Sequence, residues 1–204
     1  MITIVDYKMG NITSVRNAFE YLGYDVEIAN TISDIRNADK LILPGVGSYK
    51  MAMENIHTLG IYSAVKEKVI DQKCPVLGIC LGMQLFAKDS VEDGYAEGFG
   101  FLDLNVKKFI EKENISIPHI GFNEVSIKDQ ASKMFRGIND LSDFYFVHSY
   151  RIAEEEENEY VSGITIYGER FISAFEKDNI WGVQFHPEKS QSNGLKLLDN
   201  FARL

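Results

Sequence analysis

Residues 75–79, PVLGI, are an unbroken apolar run about one strand long. A strand with one solvated face alternates apolar and polar residues, so a run without alternation belongs in a parallel sheet covered on both faces. The residues before it have the pattern such a sheet needs. ITIVD, 2–6, reads as a strand, and Asn11 to Gly23 as a helix with Ile12, Val15, Phe19 and Leu22 at helical spacing. Asp25 to Ala29 reads as a second strand and KLILP, 40–44, as a third, closed by the glycine turn PGVGS. Helical stretches at Tyr49–Ile56 and Ile61–Gln72 lead into PVLGI. This βαβα order predicts an α/β fold with an open, doubly wound sheet and helices on both faces.

Beyond Gly94 the pattern changes. Strand candidates at 101–109, 117–127, 144–147, 160–166, 171–176 and 180–185 alternate with polar turns. They predict added antiparallel strands that extend the sheet or form a smaller one, making it mixed. A last helix is expected near 192–203, with Leu195, Leu198 and Phe201 on one face. With no internal repeat, low-complexity segment or linker, residues 1–204 are expected to form one domain.

Composition narrows the function classes. The net charge is −9 and the Lys and Arg residues are scattered, which argues against a nucleic-acid partner. The one dense charge run, AEEEENE at 153–159, reads as a solvated loop. No signal-peptide pattern opens the chain and no window approaches the about 18–20 apolar residues of a membrane span. Cys74 and Cys80 suggest no disulfide framework, and no CxxC or His-rich cluster suggests a metal. The expectation is a cytoplasmic, reduced protein with no metal and no cofactor.

Gly78-Ile79-Cys80-Leu81-Gly82 has the GxCxG form of a nucleophile elbow at a strand end. Such a turn is sharp and strained, it exposes the apical side chain, and the glycines leave room where a Cβ would clash. A helix starting after Cys80 would aim amide groups and its positive end at the sulfur, favouring the thiolate. The Leu81 amide is then placed to stabilise an oxyanion. Most free cysteines are simply small buried hydrophobes, which is how Cys74, before Pro75 and without flanking glycines, is read.

A cysteine nucleophile needs a base, and the base an orienter. WGVQFHPEKS offers both. Pro187 biases His186 toward extended backbone, and in extended chain residues i and i+2 face the same way. Glu188 can therefore lie beside the imidazole and fix its tautomer. Taken alone the stretch could be a surface turn; together with the elbow it makes a Cys-His-Glu triad.

At this point the residues resemble a known family. GICLGMQ with FHPEKS is similar to the class I glutamine amidotransferases, which hydrolyse glutamine through a cysteinyl thioester and pass ammonia to a synthase. The stretches IVDYKMGN, LPGVGSY, PVLGICLGMQL, IPHIGFNEV, FYFVHSY and GVQFHPEKSQSNGLKLLDNF span the chain in family order. They resemble more narrowly the branch of glutaminase subunits of imidazole glycerol phosphate synthase. The resemblance implies a flavodoxin-like fold, with Cys80 as nucleophile, His186 as general base and Glu188 as its orienter. It makes Gly45, Val46 and Gly47, after Pro44, an oxyanion strand in which a backbone amide turns toward the substrate to complete a hole with Leu81. Gln84 and Glu92 then hold the amino-acid end of L-glutamine, and the backbone of His148, Ser149 and Tyr150 lines the same pocket. Of these, Gln84 also has spacing in its favour, one helical turn from the elbow.

The resemblance further implies a partner, a (β/α)8-barrel cyclase bound as a heterodimer, since 204 residues leave no room for a synthase. Lys8, Asn11, Phe122, Asn123 and Tyr145 fall in stretches that face it, and His119 is either partner-facing or structural. His57 is expected on a helix surface without a role. Two positions depart from the family pattern: Phe122 stands where tryptophan is usual in GWN, and Lys8 where glycine is frequent in DYGMGN. Both touch the choice of partner rather than the chemistry. They leave open a related glutaminase that feeds a sugar amidotransferase in surface-polysaccharide synthesis. A catalytically silent regulatory subunit and a stand-alone peptidase-type cysteine hydrolase are the readings from other classes.

Overall fold

The structure, a computed structural model, describes residues 1–113, 115–128, 131–154 and 159–204. Its strands are β1 (Ile2–Val5), β2 (Val26–Ala29), β3 (Lys40–Gly45), β4 (Val76–Cys80), β5 (Asp89–Ser90), β6 (Ala96–Glu97), β7 (Asn105–Lys108), β8 (His119–Ile127), β9 (Ser142–His148), β10 (Tyr150–Ala153), β11 (Val161–Tyr167), β12 (Glu169–Lys177) and β13 (Ile180–Val183). Its helices are α1 (Ile12–Tyr21), α2 (Ile32–Asn37), α3 (Tyr49–Thr58), α4 (Tyr62–Lys66), α5 (Leu81–Gln84) and α6 (Gln191–Ala202).

β2-β1-β3-β4-β13 are parallel neighbours in that order, and β12, β10 and β7 continue the sheet, each antiparallel to the strand before it. β11 pairs with β12 and leads into β8, which pairs with β9 as a long antiparallel ribbon. The mixed sheet expected from sequence is thus present. One strand differs: residues 180–183, grouped with the antiparallel set, lie parallel to β4.

Helices cover both faces. On one, Tyr49, Ala52, Met53 and Ile56 of α3 and Val65 of α4 pack over Leu41, Leu43 and Val76. On the other, Val15 and Phe19 of α1 and Leu197, Leu198 and Phe201 of α6 pack over Ile42, Leu77 and Ile79. Alternate residues of β3 and of β4 thereby enter opposite layers, which is why PVLGI carries no polar residue. Local chemistry fixes where helices begin. Asn11 and Ser48 accept from the Ser14 and Met51 amides, and Thr31 forms a reciprocal capping box with Asp34.

The expected helix over 61–72 is divided, its second half being a π-helical turn, Glu67–Asp71. The strand expected over 101–109 is only β7, and β10 and α2 were not foreseen. Of the acidic run at 153–159, residues 155–158 lie outside the described residues; Glu154, beside them, pairs with Arg170 at 2.6 Å. Among the described residues no helix is long and apolar enough to cross a membrane.

Candidate active site

The parallel strands β3 and β4 end side by side, with Gly45 opposite Cys80. The carboxyl edge of such a sheet is where loops are free to build a site. Cys80 has φ 53° and ψ −110°, a left-handed backbone that a non-glycine residue adopts only under constraint. The constraint is close packing on either side. A Cβ on Gly78 would come within 2.6 Å of the Met83 nitrogen, and one on Gly82 would overlap the Leu43 carbonyl oxygen. α5 is four residues long, so the elbow supplies the Leu81 amide rather than the pull of a full helix.

His186 follows β13 with φ −100° and ψ 95°, extended as Pro187 requires. Its amide donates to the Tyr145 carbonyl, and its carbonyl accepts from Ser190 Oγ, which itself accepts from the Tyr145 amide. The imidazole Nδ1 lies 2.8 Å from Glu188 Oε1, with both side chains almost wholly buried. That leaves Nε2, without another hydrogen-bond partner, for the sulfur. Burial works against an imidazolium here. The charge and hydrogen bonding of the Cys80 thiolate, and then Glu188, outweigh it and push the His186 pKa up to about 10.

A cavity of about 190 Å³ opens beside the sulfur. It is lined by Val46, Gly47, Leu81, Gln84, Glu92, His148, Ser149 and Tyr150, together with Cys80 and Val147. Every residue assigned by resemblance to the oxyanion strand or the glutamine pocket is there except Gly45. That residue is packed instead: a Cβ on it would meet the Tyr7 hydroxyl and Leu81. The Tyr7 hydroxyl donates to the Pro44 carbonyl and is held neutral by burial and by the Cys80 charge. The Val46 amide donates to Met9 O at 2.9 Å, so in this conformation it is not aimed into the cavity. Glu92 Oε2 accepts from the Tyr49 amide, and burial raises its pKa.

The residues that the resemblance assigns to a partner face divide in two. Phe122 is 50% exposed, stands edge-on to Tyr145 at 5.5 Å, and has Lys189 over the Tyr145 ring. Lys8 is exposed and Asn11 half-buried. Lys8 has φ 68°, a conformation that suits glycine; here Asp6 accepts from both its amide and its ammonium group. His119 is a correction to the partner-facing alternative. It is 2% exposed, stacked between Phe146 and Tyr167, and only its structural reading stands. Asn123 is half-buried and bonds His119 and the Ile166 carbonyl. His57 is exposed on α3, as expected, and Cys74 is buried among backbone carbonyls.

Two residues at the triad escaped the sequence reading. Ser190 clamps the His186 backbone, and Gln184, two positions before His186, reaches the sulfur. The period-two rule that placed Glu188 beside His186 applies equally to Gln184 and could have found it.

A strained cysteine elbow with a cavity opening at its sulfur and a buried His-Glu pair beside it, at the carboxyl edge of a doubly wound sheet, define a cysteine-dependent hydrolase site. The chain belongs to the glutamine amidotransferase class-I family, whose model matches residues 3–204. It is 52% identical over 204 residues, the whole of both chains, to "Imidazole glycerol phosphate synthase subunit HisH 1" of Campylobacter jejuni. It is 45% identical over 206 residues to "Imidazole glycerol phosphate synthase subunit HisH 2" of Methanococcus maripaludis, covering 100% of this chain and 99% of that one. Solved structures share the fold. PurLQS of Thermotoga maritima superposes with a TM-score of 0.74 at 16% identity, over 99% of this chain and 97% of that one. The glutaminase domain of Trypanosoma brucei CTPS gives 0.66 at 17%, over 99% and 93%.

Proposed function

We propose that this protein is the glutaminase subunit of an imidazole glycerol phosphate synthase, hydrolysing L-glutamine and handing the ammonia to a cyclase in histidine biosynthesis. The observation that carries the chemistry is the Cys80 elbow, with the buried His186–Glu188 pair against its sulfur and a cavity opening on the same sulfur. Full-length relatives bearing that subunit's name support the pathway.

Glutamine enters with its amino-acid end toward Gln84 and Glu92 and its carboxamide at the sulfur. Cys80 gives its proton to His186, whose Nε2 faces it, and the thiolate attacks the carboxamide carbon. The oxyanion is met by the Leu81 amide and by an amide of the Val46-Gly47 strand once it turns from Met9 O. His186 protonates the departing ammonia, then takes a proton from water as that water attacks the thioester. Glutamate leaves and Cys80 is restored. Glu188 holds the imidazole tautomer and balances its charge throughout.

The chain acts as one glutaminase domain, in the cytoplasm, in a heterodimer with a (β/α)8-barrel cyclase that docks on the face bearing Phe122 and Tyr145. The Val46–Met9 bond supports a subunit that idles until that partner and its ligand bind, because the hole is incomplete before then. Glutamate release is measured for the purified protein alone and with a cognate cyclase plus its ribonucleotide substrate. A large rise with both present is expected. Full activity of the lone subunit, or no rise with a cyclase that itself works on ammonia, overturns the assignment.

A further inference from the structure

Gln184 is completely buried in the run that leaves β13. Its Oε1 accepts from Gln84 Nε2 at 2.9 Å, and its Nε2 lies 3.6 Å from Cys80 Sγ. The two ends of a carboxamide look alike, so their order has to be argued from partners. The Tyr150 carbonyl only accepts, so the end of Gln84 that sits 2.8 Å from it is the NH2 group. The same NH2 group reaches Gln184, which must meet it with oxygen, and this leaves the Gln184 NH2 group facing the sulfur.

A second chain closes on the same carbonyl. His148 Nδ1, 2.8 Å from Tyr150 O, must carry the proton there, so its Nε2 accepts from His119 Nδ1 at 3.1 Å. His119 Nε2 then accepts from Asn123 Nδ2 at 3.3 Å. Both rings are neutral, burial bringing their pKa values to about 3 for His148 and about 4 for His119. Tyr150 O thus has both lone pairs engaged by donors. Turning Gln84 or Gln184 around would leave buried groups unpaired.

We infer that Gln184 is a further catalytic residue: its Nε2–H group donates to the Cys80 thiolate and is held in the donating sense by Gln84 and the Tyr150 carbonyl. The neutral thiol has a separate partner, the Val147 carbonyl 3.9 Å from Sγ. When the proton passes to His186, sulfur changes from donor to acceptor, and the Gln184 amide is already in place for the acceptor. The inference rests on Cys80 being the nucleophile.

The test is the pH dependence of Cys80 alkylation by iodoacetamide, read on the Cys80 peptide by mass spectrometry, in Gln184→Glu and Gln184→Asn proteins. The first substitutes oxygen for the donor at constant shape; the second draws the donor back by one methylene. Loss of a hydrogen bond to the charged form should move the alkylation midpoint upward by about one pH unit. Partner-stimulated turnover near neutral pH should fall about tenfold or more, with the KM for glutamine nearly unchanged. Unshifted midpoints in the folded variants would reduce Gln184 to packing and overturn the inference; the milder Asn variant serves if the Glu variant does not fold. Cys80→Ala separates the layers. If that protein still hydrolyses glutamine, it is the nucleophile assignment that has failed, not the role of its neighbour.

Discussion

Replacing Gly82 with alanine sets two effects of known size against each other. Gly82 lies within α5, where alanine is the better helix former by about 1 kcal/mol. The added Cβ, however, would overlap the Leu43 carbonyl oxygen of β3 and approach its carbonyl carbon to 2.7 Å. These are backbone atoms in a paired strand and cannot rotate away, so α5 must lift off β3. Overpacking of this kind costs about 1–3 kcal/mol, and backbone contact places it at the upper end. The net loss is then about 2 kcal/mol, or a fall of about 4–8 °C in Tm for a chain of this size. Leu81 and the elbow move with the helix, and a shift of about 1 Å at the reacting atoms costs about 100-fold in rate. Thermal melting and partner-stimulated glutamate release read the two effects separately. Gly100→Ala is the control. With φ 65° and nothing near its Cβ, it should lower stability by about 1–2 kcal/mol and leave turnover alone. A Gly82→Ala protein that melts no lower than the parent and keeps its turnover would refute the packing argument, because helix propensity would then have prevailed.

Cys80→Ala should abolish glutamine-dependent synthesis by the complex while ammonia-dependent synthesis by the cyclase continues; loss of both would break the division of labour between subunits. Burial raises the Glu92 pKa, and only the carboxylate form can pair with the ammonium group of glutamine. The KM for glutamine should therefore climb as pH falls toward that raised value, while Glu92→Gln gives a high KM with no such slope; identical slopes in the two proteins would remove Glu92 from binding. Phe122→Ala should leave the melting temperature of the lone subunit within about 1 °C, since half of the ring is already exposed, yet weaken cyclase binding about tenfold or more in titration calorimetry. An unchanged Kd would move the docking face elsewhere.

The chemistry was more legible than the architecture around it. GxCxG and His-x-Glu are local patterns whose geometry follows from a strand end and a two-residue repeat, and both sit as that logic requires. The sheet's first half was legible for a similar reason, because buried parallel strands are continuous apolar runs. Elements fixed by long-range contact were not. β10 hides in SYRIA because its partners, β12 and β7, lie far from it in the chain. α2 has one fully buried residue, Ile35, too few to set a helical period. FLDLN at 101–105 alternates like a strand but mostly packs as a loop, with Phe101 stacked on Phe99. His119 stood between a partner-facing and a structural reading because β8 alternates, and only the fold reveals which face Tyr167 and Phe146 close over. The left-handed backbone at Lys8 was flagged by sequence only as a missing glycine.

The Tyr150 carbonyl has a consequence for how such a site evolves and is probed. One main-chain oxygen organises the NH2 group of Gln84 and the ring of His148. No side-chain replacement deletes it, so a mutational scan of the pocket would pass over position 150 or blame the phenol. Substitution is free to vary there while the organising atom persists, hidden from selection on residue identity. Only a change to the backbone itself, such as replacing that amide bond with an ester whose carbonyl is a weaker acceptor, would make its contribution visible.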